Sequence, residues 1–269
     1  MINFPNAKIN LGLQIVAKRA DGYHNLFSCF YPVGWSDVLE ILPAPILQFT
    51  STGLPIPGEP AGNLCLKAYH LLQKDFDLPP VHIHLHKVIP IGAGLGGGSA
   101  DGAFTLQLLN QLFSLNQTTA QLEEYARQLG SDCAFFIRNQ PVFCSEKGDQ
   151  FEDIEVNLKD KFIVLVNPGI HISTAEAYAG IIPQVPETAL KAALQSPIVE
   201  WKATVYNDFE KQLSVKYPAI AQVKETLYAH NALYASMTGS GSTVYGIFDQ
   251  ETDLTSTFPT YALWQGKLL

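Results

Sequence analysis

Five glycines stand within the seven residues from Gly92 to Gly98 of PIGAGLGGGSADGA (residues 90–103), at Gly92, Gly94, Gly96, Gly97 and Gly98, and apolar positions at helical spacing follow them at once. Glycines this close together let successive backbone N–H groups face one anion, and a helix N-terminus beyond them adds its own unpaired donors. The run formally contains GxGxxG at Gly92, Gly94 and Gly97. A dinucleotide turn of that type wants an acidic residue about 20 positions later to hold a ribose hydroxyl, and LFSLNQTT at residues 112–119 offers none. A mononucleotide loop GxxxxGK[ST] can be laid on Gly92 to Ser99, but Gly98 takes the lysine position. That removes the cation which would reach the outer phosphates. What remains is a phosphate cradle built by backbone over Pro90 to Ala100, including Leu95 and Ser99, with a flexible surface loop as the alternative. The direct entry into an apolar helix, with Ser99 as its expected N-cap, favours the cradle.

A cradle without its own lysine needs charge from elsewhere. Lys8 lies mid-strand, on the same parity as Asn10, in a segment otherwise apolar. It reads either as the missing cation or as part of a solvated strand face. Asp132 follows Gly130 and Ser131, where it would serve as a proton acceptor or simply favour a new helix start. Tyr23 and His24 adjoin in a turn, and an aromatic beside an imidazole suits stacking on a ring and hydrogen-bonding its edge. His82, His84 and His86 share one parity of a strand, which spreads them over roughly 13 Å; a solvated face accounts for them better than a metal. TGSGS at residues 238–242, with Gly239 and Gly241, is a second glycine turn between two strands, and by itself an ordinary hairpin turn.

The elements that must position these groups alternate strand and helix. Phe4 to Ile15 has strand periodicity with one apolar and one polar face, and Asp21-Gly22 marks a reversal into strands at LFSCFYPV and DVLEIL. Residues 43–62, rich in Pro, Gly and Ser, read as a hairpin or loop. A helix capped by Asn63 follows, then a strand at VHIHLHK and the glycine run. The helix after residue 118 opens with a Thr118-x-x-Gln121 capping box and is expected to stop with Gly130 in the left-handed C′ role. SDCAFFI starts another short helix, and strands and helices alternate from Lys161 onward, with a soft domain boundary near residue 153.

Bulk properties bound the function classes. A chain of 269 residues, 47% hydrophobic and 16% charged, can bury a large core. Its net charge of −8 argues against a nucleic-acid surface. Cys29, Cys65, Cys133 and Cys144 show no CxxC pairing and read as reduced thiols, with no zinc site. Neither a signal segment nor a membrane span is legible, so a soluble, cytoplasmic protein is expected.

Taken in order, PNAKINLGL, PIGAGLGGGSADGA, GSDCAFF and MTGSGSTVY resemble the motif set of the GHMP kinases. AKINLGL followed by RADGYHNL resembles the branch that acts on a cytidine diphosphate-linked sugar alcohol. The resemblance, from about residue 4 to about 248, implies a two-domain α/β (α+β) fold, residues 1–153 binding ATP and residues 154–269 completing an active site in the inter-domain cleft. It implies ATP and Mg²⁺, transfer of a phosphoryl group to a hydroxyl, small-molecule substrates without nucleic acid or membrane, and a monomer or homodimer. Asp132 resembles the catalytic base and Lys8 its partner, holding the carboxylate ionised. The cradle from Gly94 to Ser99 would hold the triphosphate, with Asn63, Leu64 and Lys87 near the adenosine. Tyr23, His24 and Phe30 resemble a cytosine-binding set, Asn10 a polar contact, Thr174 and Tyr178 the far wall, with Gly239 and Gly241 also on the substrate side. Two positions depart from the pattern: Ser131 replaces an alanine before the base, and SAD at residues 99–101 lacks one hydroxyl near the phosphates, leaving the Mg²⁺ contact open. The alternatives are a homoserine- or mevalonate-type kinase of the same superfamily, or a catalytically silent ATP-binding protein.

Overall fold

The computed structural model describes residues 1–268. Its first half runs β1 (Ile2–Asn3), β2 (Asn6–Lys18), β3 (His24–Ser36), β4 (Val38–Pro43), β5 (Gln48–Gly53), α1 (Leu64–Gln73), β6 (Val81–Lys87), α2 (Gly97–Leu112), α3 (Thr119–Leu129), α4 (Phe135–Arg138), β7 (Val142–Ser145) and β8 (Gln150–Asp153). The second half adds β9 (Phe162–Asn167), α5 (Thr174–Tyr178), α6 (Leu190–Ala193), α7 (Trp201–Thr204), α8 (Asp208–Lys216), α9 (Pro218–Ala229), β10 (Tyr234–Met237), β11 (Val244–Phe248) and β12 (Ala262–Lys267). Two compact units result. One takes Met1–Ala7, Trp35–Ile91 and Gly96–Gln140; the other takes Lys8–Gly34, Gly92–Leu95 and the chain from Pro141 onward.

The first unit is a sheet of order β1-β4-β6-β5 with α1 and α2 packed together beside it. The alternation of β6 explains this: Val81, Ile83 and Leu85 are fully buried, while His82, His84 and His86 occupy the other face. The second unit holds two further sheets, β10-β11-β9-β12 and β2-β3-β7-β8. Every residue of β9 is buried, because α8 and α9 and the strands beside it close over an apolar cluster that includes Val164, Val166, Phe209, Ile220 and Leu227. Near-continuous Phe-Ile-Val-Leu-Val composition is what a strand buried on both faces requires.

Several expectations change. Residues 6–15 form a strand, but its polar parity is not solvated: Lys8 is 4% exposed, Asn10 2% and Gln14 1%. The segment at 43–62 contains β5, which runs parallel to β6 in the register Gln48↔His82, Thr50↔His84, Thr52↔His86. Its polar QFTSTG sequence disguised an edge strand whose threonines bond the histidine rings: Thr50 Oγ1 lies 2.8 Å from His82 Nε2 and 2.8 Å from His84 Nδ1. Thr52 Oγ1 lies 3.2 Å from His84 Nε2 and 2.9 Å from His86 Nδ1. Helix α2 begins at Gly97 with Gly96 as N-cap at φ 70°, so Ser99 sits inside the first turn rather than capping it. That left-handed conformation is one glycine takes readily and serine does not, so the chain enters α2 at Gly96. Thr118 and Gln121 do form the capping box, whereas Gly130 ends α3 at φ 173°, an extended conformation and not the left-handed C′ geometry. The four cysteines are free and buried. No helix of the described residues is long and apolar enough to cross a membrane.

Candidate active site

In the second unit three of the sequence motifs meet around one backbone carbonyl. Lys8 Nζ donates to Asn10 Oδ1 at 2.7 Å and to the Gly94 carbonyl at 3.1 Å, and it stands 4.8 Å from the centroid of the Phe30 ring. A buried ammonium needs such partners, since leaving one unpaired away from water is costly. The same Gly94 carbonyl accepts from Thr238 Oγ1 at 3.1 Å. Asn10 is fixed from all sides: its N–H donates to Thr238 Oγ1 at 3.0 Å, its Nδ2 to Ser28 Oγ at 2.8 Å, and its carbonyl accepts from Tyr245 at 2.8 Å. Lys8 N–H closes the arrangement by donating to the Leu95 carbonyl at 2.9 Å.

This packing is what the glycines allow. Gly94 has φ +78°, and a Cβ there would lie 2.1 Å from the Thr238 carbonyl oxygen. Gly239, at φ +55°, approaches the Gly94 backbone to 3.1 Å measured from where its Cβ would stand. Two glycine turns are thus pressed together, one between β6 and α2 and the other between β10 and β11. Gly92 meets the His171 ring in the same way, at 2.9 Å.

In the first unit the cradle continues into α2. Gly96 supplies no side-chain cap, so the first-turn N–H groups of Gly97, Gly98 and Ser99 are left for an anion. Gly98 is exposed, with no atom within 4 Å of where its Cβ would be, while a Cβ on Gly97 would come within 3.0 Å of Lys87 Nζ. Ser99 bonds the thiol of Cys133, which burial nevertheless pushes up to about 12. Asn63 caps α1 by accepting from Cys65 N at 2.8 Å, and Leu64 packs where a Gly102 side chain would reach it at 3.0 Å. Asp132 is half-buried in the turn before α4, with Ser131 Oγ donating to its Oδ1 at 3.4 Å, so the serine adds a contact to the carboxylate.

The aromatic set divides. His24 and Tyr178 stack at 4.8 Å with an interplanar angle of 23°, and Tyr178 is held edge-on by Phe209 at 4.8 Å. Phe30 lies under Lys8 and is buried. Tyr23 is 62% exposed and has Lys147 Nζ 5.3 Å from its ring centroid. Thr174 is exposed at the first turn of α5 behind the Ser173 cap.

Three polar side chains escaped the sequence reading. Thr238 is one, its hydroxyl lost among the glycines around it. The others are Asp37 and Asp101, both buried, which take Lys87 between them: Lys87 Nζ donates to Asp37 Oδ2 at 2.5 Å and to Asp101 Oδ2 at 2.7 Å. A signal existed, because Lys87 shares the parity of Val81, Ile83 and Leu85 and so had to be buried with a countercharge.

A family model described as GHMP kinases N terminal domain matches residues 63–140, and one described as GHMP kinases C terminal matches residues 189–256. The chain is 54% identical over 254 residues to the 4-diphosphocytidyl-2-C-methyl-D-erythritol kinase of Cytophaga hutchinsonii, covering 94% of each. It is 48% identical over 270 residues to the enzyme of that name from Parabacteroides distasonis, covering 100% of each. Among solved structures, that of a 4-(cytidine 5'-diphospho)-2C-methyl-D-erythritol kinase superposes with a TM-score of 0.86 at 27% identity, over 99% of this chain and 98% of that one. A homoserine kinase from Cytophaga hutchinsonii shares the fold at a TM-score of 0.71 and 15% identity, over 98% of this chain and 95% of that one. With near-full-length relatives at about half identity and the motifs in place, the chain belongs to the 4-diphosphocytidyl-2-C-methyl-D-erythritol kinase family of the GHMP kinases.

Proposed function

We propose that the protein is a transferase that uses ATP to phosphorylate the 2-hydroxyl of 4-diphosphocytidyl-2-C-methyl-D-erythritol, in the non-mevalonate route to isoprenoid precursors. The observation that carries this reading is the 54% identity across 94% of the chain to a relative of that name. The two family models fall on either side of residue 153, which supports a sequence division into residues 1–153 and 154–269.

In this reading Asp132 accepts the proton of the acceptor hydroxyl as the oxygen attacks the γ-phosphorus, and the bond from that phosphorus to the β,γ-bridging oxygen breaks to release ADP. Lys8 offsets charge on the transferring group. The backbone N–H groups from Gly94 to Ser99, with Pro90, Gly92 and Ala100 shaping the turn, hold the phosphates. Asn63, Leu64 and Lys87 serve the adenosine side. Asn10, Tyr23, His24, Phe30, Thr174, Tyr178, Gly239 and Gly241 serve the cytidyl substrate. The uncapped start of α2 suits a nucleotide triphosphate, and Mg²⁺ bound to it would supply further countercharge. Such an ion keeps several waters and takes few protein ligands; among the described residues no group of three His, Cys, Asp or Glu is placed to hold a metal. Small-molecule partners, a monomeric or dimeric state and a cytoplasmic location complete the proposal, and the net charge of −8 supports the exclusion of nucleic acid.

The test is ADP release by the purified protein with the cytidyl substrate, with the uncytidylylated sugar phosphate, and with homoserine and mevalonate. Turnover confined to the cytidyl substrate is expected. Equal or greater turnover on another alcohol, or ATP binding with turnover on none, would overturn the assignment.

A further inference from the structure

We propose that Asp37, Lys87 and Asp101 form a buried clamp that fixes both stems of the ATP-binding glycine loop, with Asp101 a positioning residue for nucleotide affinity. The inference rests on the reading of that loop as an ATP cradle. All three side chains are buried within one compact unit. Asp37, between β3 and β4, uses both oxygens: Oδ1 accepts from Val88 N at 2.6 Å and Ile89 N at 2.8 Å, and Oδ2 from Lys87. It therefore holds the backbone just ahead of Pro90, the incoming stem. Lys87 carries the restraint across to Asp101, which stands one turn into α2, the outgoing stem. The N–H groups offered to phosphate lie on the turn between Asp101 and the loop.

The contact is close enough to dictate sequence. A Cβ at Gly97 would come within 3.0 Å of Lys87 Nζ and 2.9 Å of Ile89 Cγ2, so the first residue of α2 rests directly on the clamp. The cluster also holds one carboxylate more than Lys87 neutralises, and Asp101 Oδ1 is buried with no hydrogen-bond partner among the described residues. Isolated stability would favour one acid fewer, since an excess buried charge is costly. The other groups facing Asp101 are Cys65 of α1, whose thiol burial pushes far up, and Thr105, whose hydroxyl donates to the Asp101 carbonyl at 2.7 Å. Neither supplies a positive charge. A second acid retained on α2 against that cost is explained by the position it gives the helix.

The clamp separates binding of the two substrates. Asp101→Ala leaves a balanced Lys87–Asp37 pair, so the unit keeps its fold, while α2 loses its tether. Asp101→Asn keeps an oxygen that accepts from Lys87. Calorimetric titration of the full-length protein with a non-hydrolysable ATP analogue, without acceptor, reads the effect directly. The expected result is a Kd raised about tenfold or more in Asp101→Ala, largely restored in Asp101→Asn, with the KM of the cytidyl substrate unchanged in both. A parent protein that binds no nucleotide would refute the ATP-cradle reading itself. A parent that binds while Asp101→Ala binds equally well would refute the clamp alone, as would an Asp101→Ala variant whose two substrates weaken together. Should Asp101→Ala not fold, Asp101→Asn decides by comparison with Asp37→Asn: a raised analogue Kd in Asp37→Asn is expected, and parental affinity in that variant overturns the clamp.

Discussion

Replacing Gly94 by alanine strikes the point where the two glycine turns touch. The backbone is left-handed there, which costs a residue with a Cβ roughly 1–2 kcal/mol. The new methyl would stand 2.1 Å from the Thr238 carbonyl oxygen and 2.9 Å from its carbon, so the turns must part. Parting them breaks the bonds from Lys8 Nζ and Thr238 Oγ1 to the Gly94 carbonyl, both at 3.1 Å. The first involves a charged donor, worth roughly 1.5–3 kcal/mol, and the second roughly 1 kcal/mol. Allowing for partial relaxation, the sum is a destabilisation of about 3–5 kcal/mol. With a denaturant slope of about 2.5 kcal/mol per molar, the urea midpoint should fall by roughly 1–2 M. Gly98→Ala is the control four residues away: nothing lies within 4 Å of its Cβ position, and it sits inside α2. Alanine is the better helix former by up to about 1 kcal/mol, so that midpoint should hold or rise. A Gly94→Ala midpoint matching the parent, or a Gly98→Ala midpoint falling equally far, would refute the argument that contact at Gly94, and not glycine content, sets the cradle.

Three further outcomes are expected. Asp132→Ala should lower turnover by roughly 10²–10⁴-fold, the range for a positioned acid–base group, with circular dichroism unchanged; parental turnover would remove Asp132 as the base. His24→Ala removes one ring of the stack with Tyr178, and base–aromatic stacking worth about 1–3 kcal/mol should appear as a raised KM for the cytidyl substrate alone, so an unchanged KM would dismiss the cytosine contact. Burial, opposed by Lys87 and assisted by Asp37, raises the Asp101 carboxyl to about 7; the folded protein then holds a proton that the unfolded chain has released, and stability drains as pH rises from about 4 to 7. Asp101→Asn should flatten that fall in urea midpoints, and parallel pH profiles for parent and variant would contradict it.

Much of this was legible where local physics decides the outcome. The Thr118 capping box and the Asn63 cap declare themselves, because each satisfies donors only a few residues away. The glycine run announced a backbone cradle for an anion, but not that Thr238, 144 residues beyond Gly94, packs against it. Lys8 illustrates the same limit, since strand parity placed it with polar neighbours, and only the tertiary fold could bury that parity as well. With β5 the failure lay in composition. A strand of glutamine, threonine and serine has little apolar pattern, and its partner is reached only through parallel pairing with β6. For Lys87 the parity of β6 carried the signal of burial, but not which carboxylates, Asp37 and Asp101, would flank it.

The threonine and histidine row across β5 and β6 carries a further consequence. Each hydroxyl has one proton and meets two ring nitrogens, so it can donate to only one of them: His82 Nε2 and His84 Nδ1 cannot both lack hydrogen, and nor can His84 Nε2 and His86 Nδ1. A neutral His84 has a single N–H to distribute between its two sides. Working along the row, a neutral His82 with its hydrogen on Nδ1 obliges neutral His84 and His86 to carry theirs on Nδ1, and a neutral His86 with its hydrogen on Nε2 obliges the other two to carry theirs on Nε2. Thr50 and Thr52 thereby pass a tautomer from one ring to the next, Nδ1-H in one direction along the row and Nε2-H in the other.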